Sequence, residues 1–412
     1  MANIADILDH SGHGGARPAG ARGAGAADCT GALTLRPVED LAAAGHAWQA
    51  FEKEAVGTPF QSYAWVSAWV KANRDNGAMR PLIVFAYDGA RIVLILPLAI
   101  TRVMGARRLE WLGQRFSDYN GPLIERHLLQ KMGPADAARL MARVRKLAGG
   151  ADCCLLAKQP EFLGGLPNPF VAPGSYPFTC AAHYVRLAAS WQDFEAAHMN
   201  GKSRRRLREK EAKLSQIGEV EYVRIDDPQE RALLVDELVG WKVAQLVARG
   251  DRVPFADPVA RDFFNRVARC AAGQGPARLY ALKCGGRAVA MALCFADRKR
   301  LVYYLCGYEV SEVTRHSPGL LLLVHLFKVA IEEGFEVFDF SNGDEDYKDR
   351  WSDGADNIMV TSRAFTPLGL LALAGERAKL ELIRAVKRSD KVADLARRLI
   401  RIGRGATGGV KS

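Results

Sequence analysis

Long apolar runs are missing from this sequence. The longest, Ile92–Ile100 and Leu320–Val324 with its flanks, fall short of the roughly 18–20 residues that a membrane-crossing helix needs. Residues 1–31 are rich in Gly and Ala. They lack the apolar core of a secretory signal, so a cytoplasmic location is expected. Cysteine is sparse: eight in 412 residues, at positions 29, 153, 154, 180, 270, 284, 294 and 306, with no CxxC. Neither a disulfide framework nor a zinc site follows from that spacing. The cysteines read instead as small buried hydrophobes. Also missing are a His-x-x-x-His pair, a Gly-x-Ser-x-Gly elbow, a P-loop and a dinucleotide fingerprint. Zinc hydrolysis, triad hydrolysis, NTPase and Rossmann chemistry are therefore disfavoured, and no metal or redox cofactor is expected.

What is present is the balance of a soluble globular chain, 49% apolar and 25% charged. The length suits two or three domains with a real hydrophobic core. The net charge of +11 is concentrated in two places. Residues 198–216 hold seven Lys/Arg against two Glu, and residues 366–412 hold eleven against four acids. Such segments suit nucleic acid, an anionic membrane surface or a phosphorylated substrate, or else form solvated helix faces.

The sequence also echoes itself. Pro81–Tyr87, the turn Asp88-Gly89 and Arg91–Ile100 form a β-hairpin signal. Arg278–Cys284, Gly285-Gly286 and Arg287–Ala296 repeat it about two hundred residues later. Each hairpin is followed by a strand opening with Arg-Leu, Arg108–Gly113 and Arg300–Gly307. Duplication of one α/β unit explains the pair. A strand at 32–37, a helix through 38–56 and a helix bearing Trp65, Trp69 and Ala72 on a buried face precede the first hairpin. Gln159–Phe178 reads as an irregular connector, Ser190–Ile217 as basic helix, and 228–249 and 257–273 as two further helices. Ser317-Pro318-Gly319 opens an apolar helix that Gly334 ends. Val337–Phe340 and 357–365 read as strands, and Pro367–Arg404 as basic helices with an apolar stripe of Val392, Leu395, Leu399 and Ile402.

Between the last two strands lies Asp339-Phe340-Ser341-Asn342-Gly343-Asp344-Glu345-Asp346-Tyr347-Lys348-Asp349-Arg350-Trp351. A buried strand there ends in a glycine turn, followed by carboxylates, a Tyr, a Lys and a Trp. Loops at the carboxyl ends of strands are where α/β sheets build sites. This one offers a base, an acid and a charge clamp together, or a surface loop whose Lys348 pairs with acidic neighbours.

These residues, with the hairpin and the Ser-Pro-Gly helix start, resemble the GNAT-type acyltransferases of the CelD class, tied to bacterial cellulose and exopolysaccharide biosynthesis. They are also similar to the tandem-GNAT ligases that build peptidoglycan interpeptide bridges. The resemblance covers about 190–365 and is most specific at the Tyr-Lys-x-x-Trp end. It implies an α/β fold of tandem GNAT-like units, with mixed, mostly antiparallel sheets flanked by helices. The expected divisions are a disordered segment at 1–31, an N-terminal unit at 32–180, an acyltransferase unit at 181–366 and basic C-terminal helices at 367–412. The implied activity is transfer of an acyl group from acyl-CoA to an amine or hydroxyl of a sugar, polysaccharide or cell-envelope precursor. Asp344, Tyr347 and Lys348 would be the catalytic residues. Arg315, Ser317 and Gly319 would hold coenzyme A at the helix start, although Pro318 stands where that pattern has a glycine amide. Arg204 and Arg208, four apart on one helix face, and Trp351 would contact substrate. An aminoacyl-tRNA-dependent transferase is one alternative, with RNA on the basic segment. A catalytically silent module of a polysaccharide synthase, touching an anionic membrane through its C-terminal helix, is another.

Overall fold

The computed structural model describes residues 28–388, apart from 76, 78, 251–252, 271–274 and 344. The expected disordered segment therefore lies almost wholly outside the described residues, as does the apolar stripe Val392–Ile402.

The first unit opens with β1 (Thr34–Pro37), α1 (Leu41–Glu52) and α2 (Tyr63–Ala72). The Asp40 and Ser62 side chains accept first-turn amides and start the two helices. The hairpin β2 (Met79–Asp88) and β3 (Arg91–Val103) turns at Gly89, whose φ of +59° favours glycine. Next come β4 (Ala106–Trp111), the short β5 (Leu123–Ile124), α3 (Arg126–Lys131), α4 (Pro134–Leu147) and β6 (Cys153–Pro160). The connector seen in the sequence carries three two-residue strands, β7 (Phe162–Leu163), β8 (Leu166–Pro167) and β9 (Tyr176–Pro177).

The second unit begins with β10 (Ala182–Arg186). The basic stretch after it is two helices, α5 (Trp191–His198) and α6 (Gly201–Ser215), broken where Asn200 caps the second. Then follow β11 (Val220–Ile225), α7 (Pro228–Arg249) and α8 (Pro258–Ala268). The echoed strands are β12 (Ala277–Cys284), β13 (Arg287–Asp297) and β14 (Arg300–Tyr308). After them stand α9 (Pro318–Glu332), β15 (Val337–Asn342), α10 (Asp346–Trp351), β16 (Gly354–Asp356), β17 (Ile358–Ala364) and α11 (Pro367–Arg388).

The two sheets have matching orders, β1-β2-β3-β4-β6-β17-β9, with β5 beside β3, and β11-β12-β13-β14-β15-β10-β16. In each, a run of antiparallel strands meets one parallel neighbour, β4 with β6 and β14 with β15. The chain also passes between the sheets twice. After β9 the chain crosses and β10 inserts between β15 and β16 of the second sheet. After β16 it crosses back and β17 inserts between β6 and β9 of the first. The first sheet is thus completed by a strand of the second unit, β17, while β10 completes the second unit's own sheet.

A shared core joins them further. Phe60, Trp65 and Trp69 of the first unit pack against Phe263, Phe295 and Tyr304 of the second, with ring centroids 4.7–5.7 Å apart. The aromatic face foreseen on α2 is therefore a seam between halves. No helix among the described residues is long and apolar enough to cross a membrane.

Candidate functional site

Strands β14 and β15 pair only over Arg300–Val302 and Val337–Asp339, and then part. The gap opens into a cavity of about 640 Å³. Tyr303, Cys306 and Tyr308 of β14 form one wall, Glu345 and Tyr347 of the following loop another, and Lys242 and Gln245 of α7 a third. Gln245 Nε2 donates to the Tyr308 carbonyl at 2.9 Å and ties α7 to this wall. The start of α9, Ser317 to Leu320, closes one end.

The polar loop is tightly built. Lys348, only 3% exposed, donates to the Asn342 carbonyl at 3.0 Å and pairs with Glu345 Oε2 at 2.8 Å. Gly343 has φ +136°, and a Cβ there would lie 2.4 Å from Glu345 Oε2 and 2.7 Å from Lys348 Nζ. Only glycine lets the chain fold over that ion pair. Burial opposes the charge on Glu345, but Lys348 and Lys242 outweigh it and hold the carboxyl below its ordinary range. Burial, with Cys306 and Glu345 beside it, pushes the Tyr347 phenol upward. Tyr347 therefore stays protonated and is a hydrogen-bond donor at the cavity wall.

At the other end, Ser317 adopts a left-handed conformation, φ +55°. Its hydroxyl takes a bond from Lys210 of α6 at 2.5 Å. Pro318 has no amide to give, and the Leu320 and Leu321 amides already reach the Ser317 carbonyl at 3.0 and 3.2 Å. Cations gather here. Burial, then Arg206 and Lys213, depresses Lys210. Burial, then Arg315, Lys213 and Lys210, depresses His316. Such crowding of like charge is relieved by an anion.

The first unit supports the loop from behind through residues that the sequence did not single out. Tyr119 donates to Asp339 Oδ1 at 2.7 Å, and Arg300 pairs with Asp339 Oδ2 at 2.7 Å. Ser341, at φ +63°, donates its hydroxyl to Asp118 Oδ2 at 2.5 Å, and Asn342 Nδ2 reaches the Asp118 carbonyl at 3.1 Å. Burial raises Asp118 against the pull of Lys158, Ser341 and Lys348, while burial lowers Lys158. One signal was readable: Asp339 is a charge inside an otherwise apolar strand, VFDF, and such a group demands a partner. That the partners would be Arg300 and Tyr119 was not.

The sequence-selected residues fall in three places. Tyr347, Ser317 and Gly319 line this cavity, Lys348 stands behind its Glu345 wall, and Arg315 stands three residues before the α9 start, bonded to His316 at 3.1 Å. Arg204 and Arg208 line a separate groove of about 230 Å³ against α9 and β11, and Arg204 pairs with Glu195 at 3.4 Å. Trp351 is 6% exposed and packs at a tilt against Phe327, with ring centroids 5.1 Å apart. That position is in the core behind the loop, with no face on the cavity. Asp344 lies outside the described residues. Among those described, no cluster of three or more His, Cys, Asp or Glu has the arrangement of a metal site.

Residues 201–349 match the family model described as an acetyltransferase (GNAT) domain. The match lies within the second unit. Among solved structures, FemX superposes with a TM-score of 0.55 at 12% identity, covering 82% of this chain and 99% of that one. A conserved protein of unknown function from Bacteroides thetaiotaomicron gives 0.50 at 10%, covering 81% and 100%. At these identities the likeness is one of fold, and it spans both units of this chain. No curated protein sequence matches it.

Proposed function

We propose that the second unit transfers an acyl group from a thioester, acyl-CoA, to an amine or hydroxyl of a sugar, polysaccharide or cell-envelope precursor. The observation that carries this reading is the parting of β14 and β15 over a cavity that runs from a cationic helix start to Glu345 and its buried partner Lys348. Lys210, Arg315 and the Gly319 amide fit the phosphates of such a donor, which supplies the activated carbonyl. Tyr347 is a protonated donor for charge developing on that oxygen. The ionised Glu345, 42% exposed at its side chain, is placed to take a proton from an incoming nucleophile. Lys348 holds Glu345 and the Asn342 carbonyl in register. The saccharide acceptor rests on the resemblance of FDFSNGDEDYKDRW to the CelD class.

The aminoacyl-tRNA-dependent reading draws on α6. Arg205 and Arg206 sit on this helix beside the groove that Arg204 and Arg208 line, and Arg205 pairs only loosely with Glu209, at 3.4 Å. A strong salt dependence of tRNA binding distinguishes that reading. The direct experiment is calorimetric titration with acetyl-CoA and longer acyl-CoAs, with Arg315→Ala as control. Micromolar binding weakened in the variant supports the acyl-CoA reading. No binding of any acyl-CoA, with tRNA bound instead, replaces it.

A further inference from the structure

The first sheet carries a groove that the second lacks. Cys154 and Leu156 of β6 point to the face covered by α4, as Phe338 and Phe340 of β15 point to the face covered by α9. In the second unit that face is closed. Phe327 packs on Phe338 at 4.7 Å, and Phe194 of α5 and Trp351 of α10 pack on Phe327, each at 5.1 Å. In the first unit α4 presents Ala138, Met141 and Ala142 instead. The helix that follows β17, α11, packs on the opposite face, where Ala372 meets Cys153 and Leu373 meets Leu155 and Val360. What remains is a groove of about 520 Å³ between α4 and the segment 169–175, floored by Leu156 and Phe170. That volume is within the range of small-molecule sites.

The far wall is fixed in place. The Thr361 hydroxyl donates to the Phe170 carbonyl at 2.8 Å, accepts from Gln159 Nε2 at 2.9 Å and lies 2.7 Å from Ser175 Oγ. The groove is also cationic at one end. Arg363 stands beside Cys154 in β17, where the second sheet has buried Val185 beside Phe338. The Arg145 guanidinium lies 4.4 Å over the Phe365 ring and that of Arg363 lies 5.8 Å from it, with Lys146 next in sequence. Arg145 gives its Nε to the Ala151 carbonyl at 2.9 Å. None of the three forms an ion pair among the described residues.

We propose that this groove binds a free long-chain carboxylic acid, with its methylenes along Leu156, Phe170 and Met141 and its carboxylate at Arg145, Lys146 and Arg363. An apolar floor gains from buried methylenes, and guanidinium groups match a carboxylate. The chain's own segment beyond residue 388 is a poor occupant, because Lys391, Arg397, Arg398 and Arg401 would face three cations. The site shares no lining residue with the β14–β15 cavity.

The test titrates sodium dodecanoate into the full chain by calorimetry, alongside Ala142→Trp, which fills the groove from its exposed side, and Arg363→Glu. One micromolar site is expected, abolished by Ala142→Trp. Arg363→Glu weakens it roughly 10-fold or more, the size of a lost charge-assisted hydrogen bond. Dodecanol should bind the unmodified chain more weakly by a similar factor, and saturating coenzyme A should not compete. Absence of dodecanoate binding to the folded chain overturns the proposal. Competition by coenzyme A also overturns it, by placing the alkyl chain in the other cavity. Binding to anionic phospholipid vesicles that Ala142→Trp abolishes, without binding of free dodecanoate, overturns it in favour of a membrane surface. The coenzyme A titration alone reports on acyl transfer, so the two readings fail separately.

Discussion

The two units have the same strand order, yet only one opens between its parallel strands. In the first, β4 stops at Trp111, and the chain beyond it folds back into the gap. Asn120 donates its amide to the Lys158 carbonyl at 2.7 Å and its Nδ2 to the Ala157 carbonyl at 3.1 Å. Trp111 Nε1 bonds Gln159 at 3.3 Å and its ring meets Phe170 at 5.7 Å. In the second, β14 runs on to Tyr308, and the matching space is the cavity. The lesson is that topology supplies the wedge, while side chains decide whether it is plugged. The loop that plugs the first wedge also carries Asp118 and Tyr119 to the back of the second. One half has become a brace and the other the site.

The largest effect should come from the seam that holds them together. Trp65→Ala removes a buried indole that touches both halves and should cost about 3–5 kcal/mol. Urea unfolding followed by circular dichroism should give one transition at lower denaturant. Two separate transitions, with the second unit unmoved, would show that the halves do not share a core.

The next contrast sets two lysines against each other, Lys348 on the site loop and Lys158 in the brace. Lys348→Met should reduce acyl transfer about 100-fold or more by releasing Glu345, and should also cost about 1–3 kcal/mol of stability, because the Asn342 carbonyl and Glu345 lose a buried partner. Lys158→Met removes one of the two cations that act on buried Asp118 and should cost a similar amount, about 1–3 kcal/mol. Its effect on turnover should stay below roughly tenfold, since it stands behind the loop and does not line the cavity. A larger turnover loss in Lys158→Met would exchange the two roles.

A smaller, local effect concerns the helix start. Burial and three neighbouring cations lower His316. Coenzyme A phosphates bound there would offset that charge, so the imidazole should titrate higher in the complex by proton NMR. A downward or absent shift, with binding intact, would place the phosphates elsewhere.

The smallest is a pH effect at the β13–β14 turn, the counterpart of the Met104–Gly105 turn between β3 and β4. Burial pushes Asp297 up to about 6, against about 3.9 in an unfolded chain. The fold keeps a proton that the unfolded chain releases, so this group's stabilisation is full below about pH 4 and is lost as pH rises through about 6. In full, that difference is worth about 3 kcal/mol; because Asp297 is only partly buried, Asp297→Asn should gain closer to about 1 kcal/mol at pH 7 and little at pH 4. Equal gains at both would mean that the carboxyl titrates normally.

Much of this could be read in advance. The repeated hairpins, their glycine turns, the Arg-Leu openings and α7 as Pro228–Arg249 follow from local patterning, which short-range sterics and burial enforce. The loop at Tyr347-Lys348 was visible because charge cannot follow a buried strand without reason. Three things were not visible. Strands β10 and β11 are short, and the eight residues of β6 show no clean alternation, so which neighbours they meet decides them. Trp351 has the composition of a site residue, but the aromatic cluster around Phe327 claims it. Asp118, Tyr119 and Lys158 look like ordinary loop and strand-end polar residues until the other unit is placed against them.

The sequence by itself determined that there are two related α/β units, where each hairpin turns, and which loop concentrates charge and aromatics. These are matters of neighbouring residues, periodicity and backbone preference. The tertiary structure alone decided that the second unit lends a strand to the first sheet, that one wedge is plugged and the other open, and that a carboxylate more than two hundred residues away anchors the site loop. Those outcomes depend on long-range packing and on the cost of burying an unpaired charge, which no local window records.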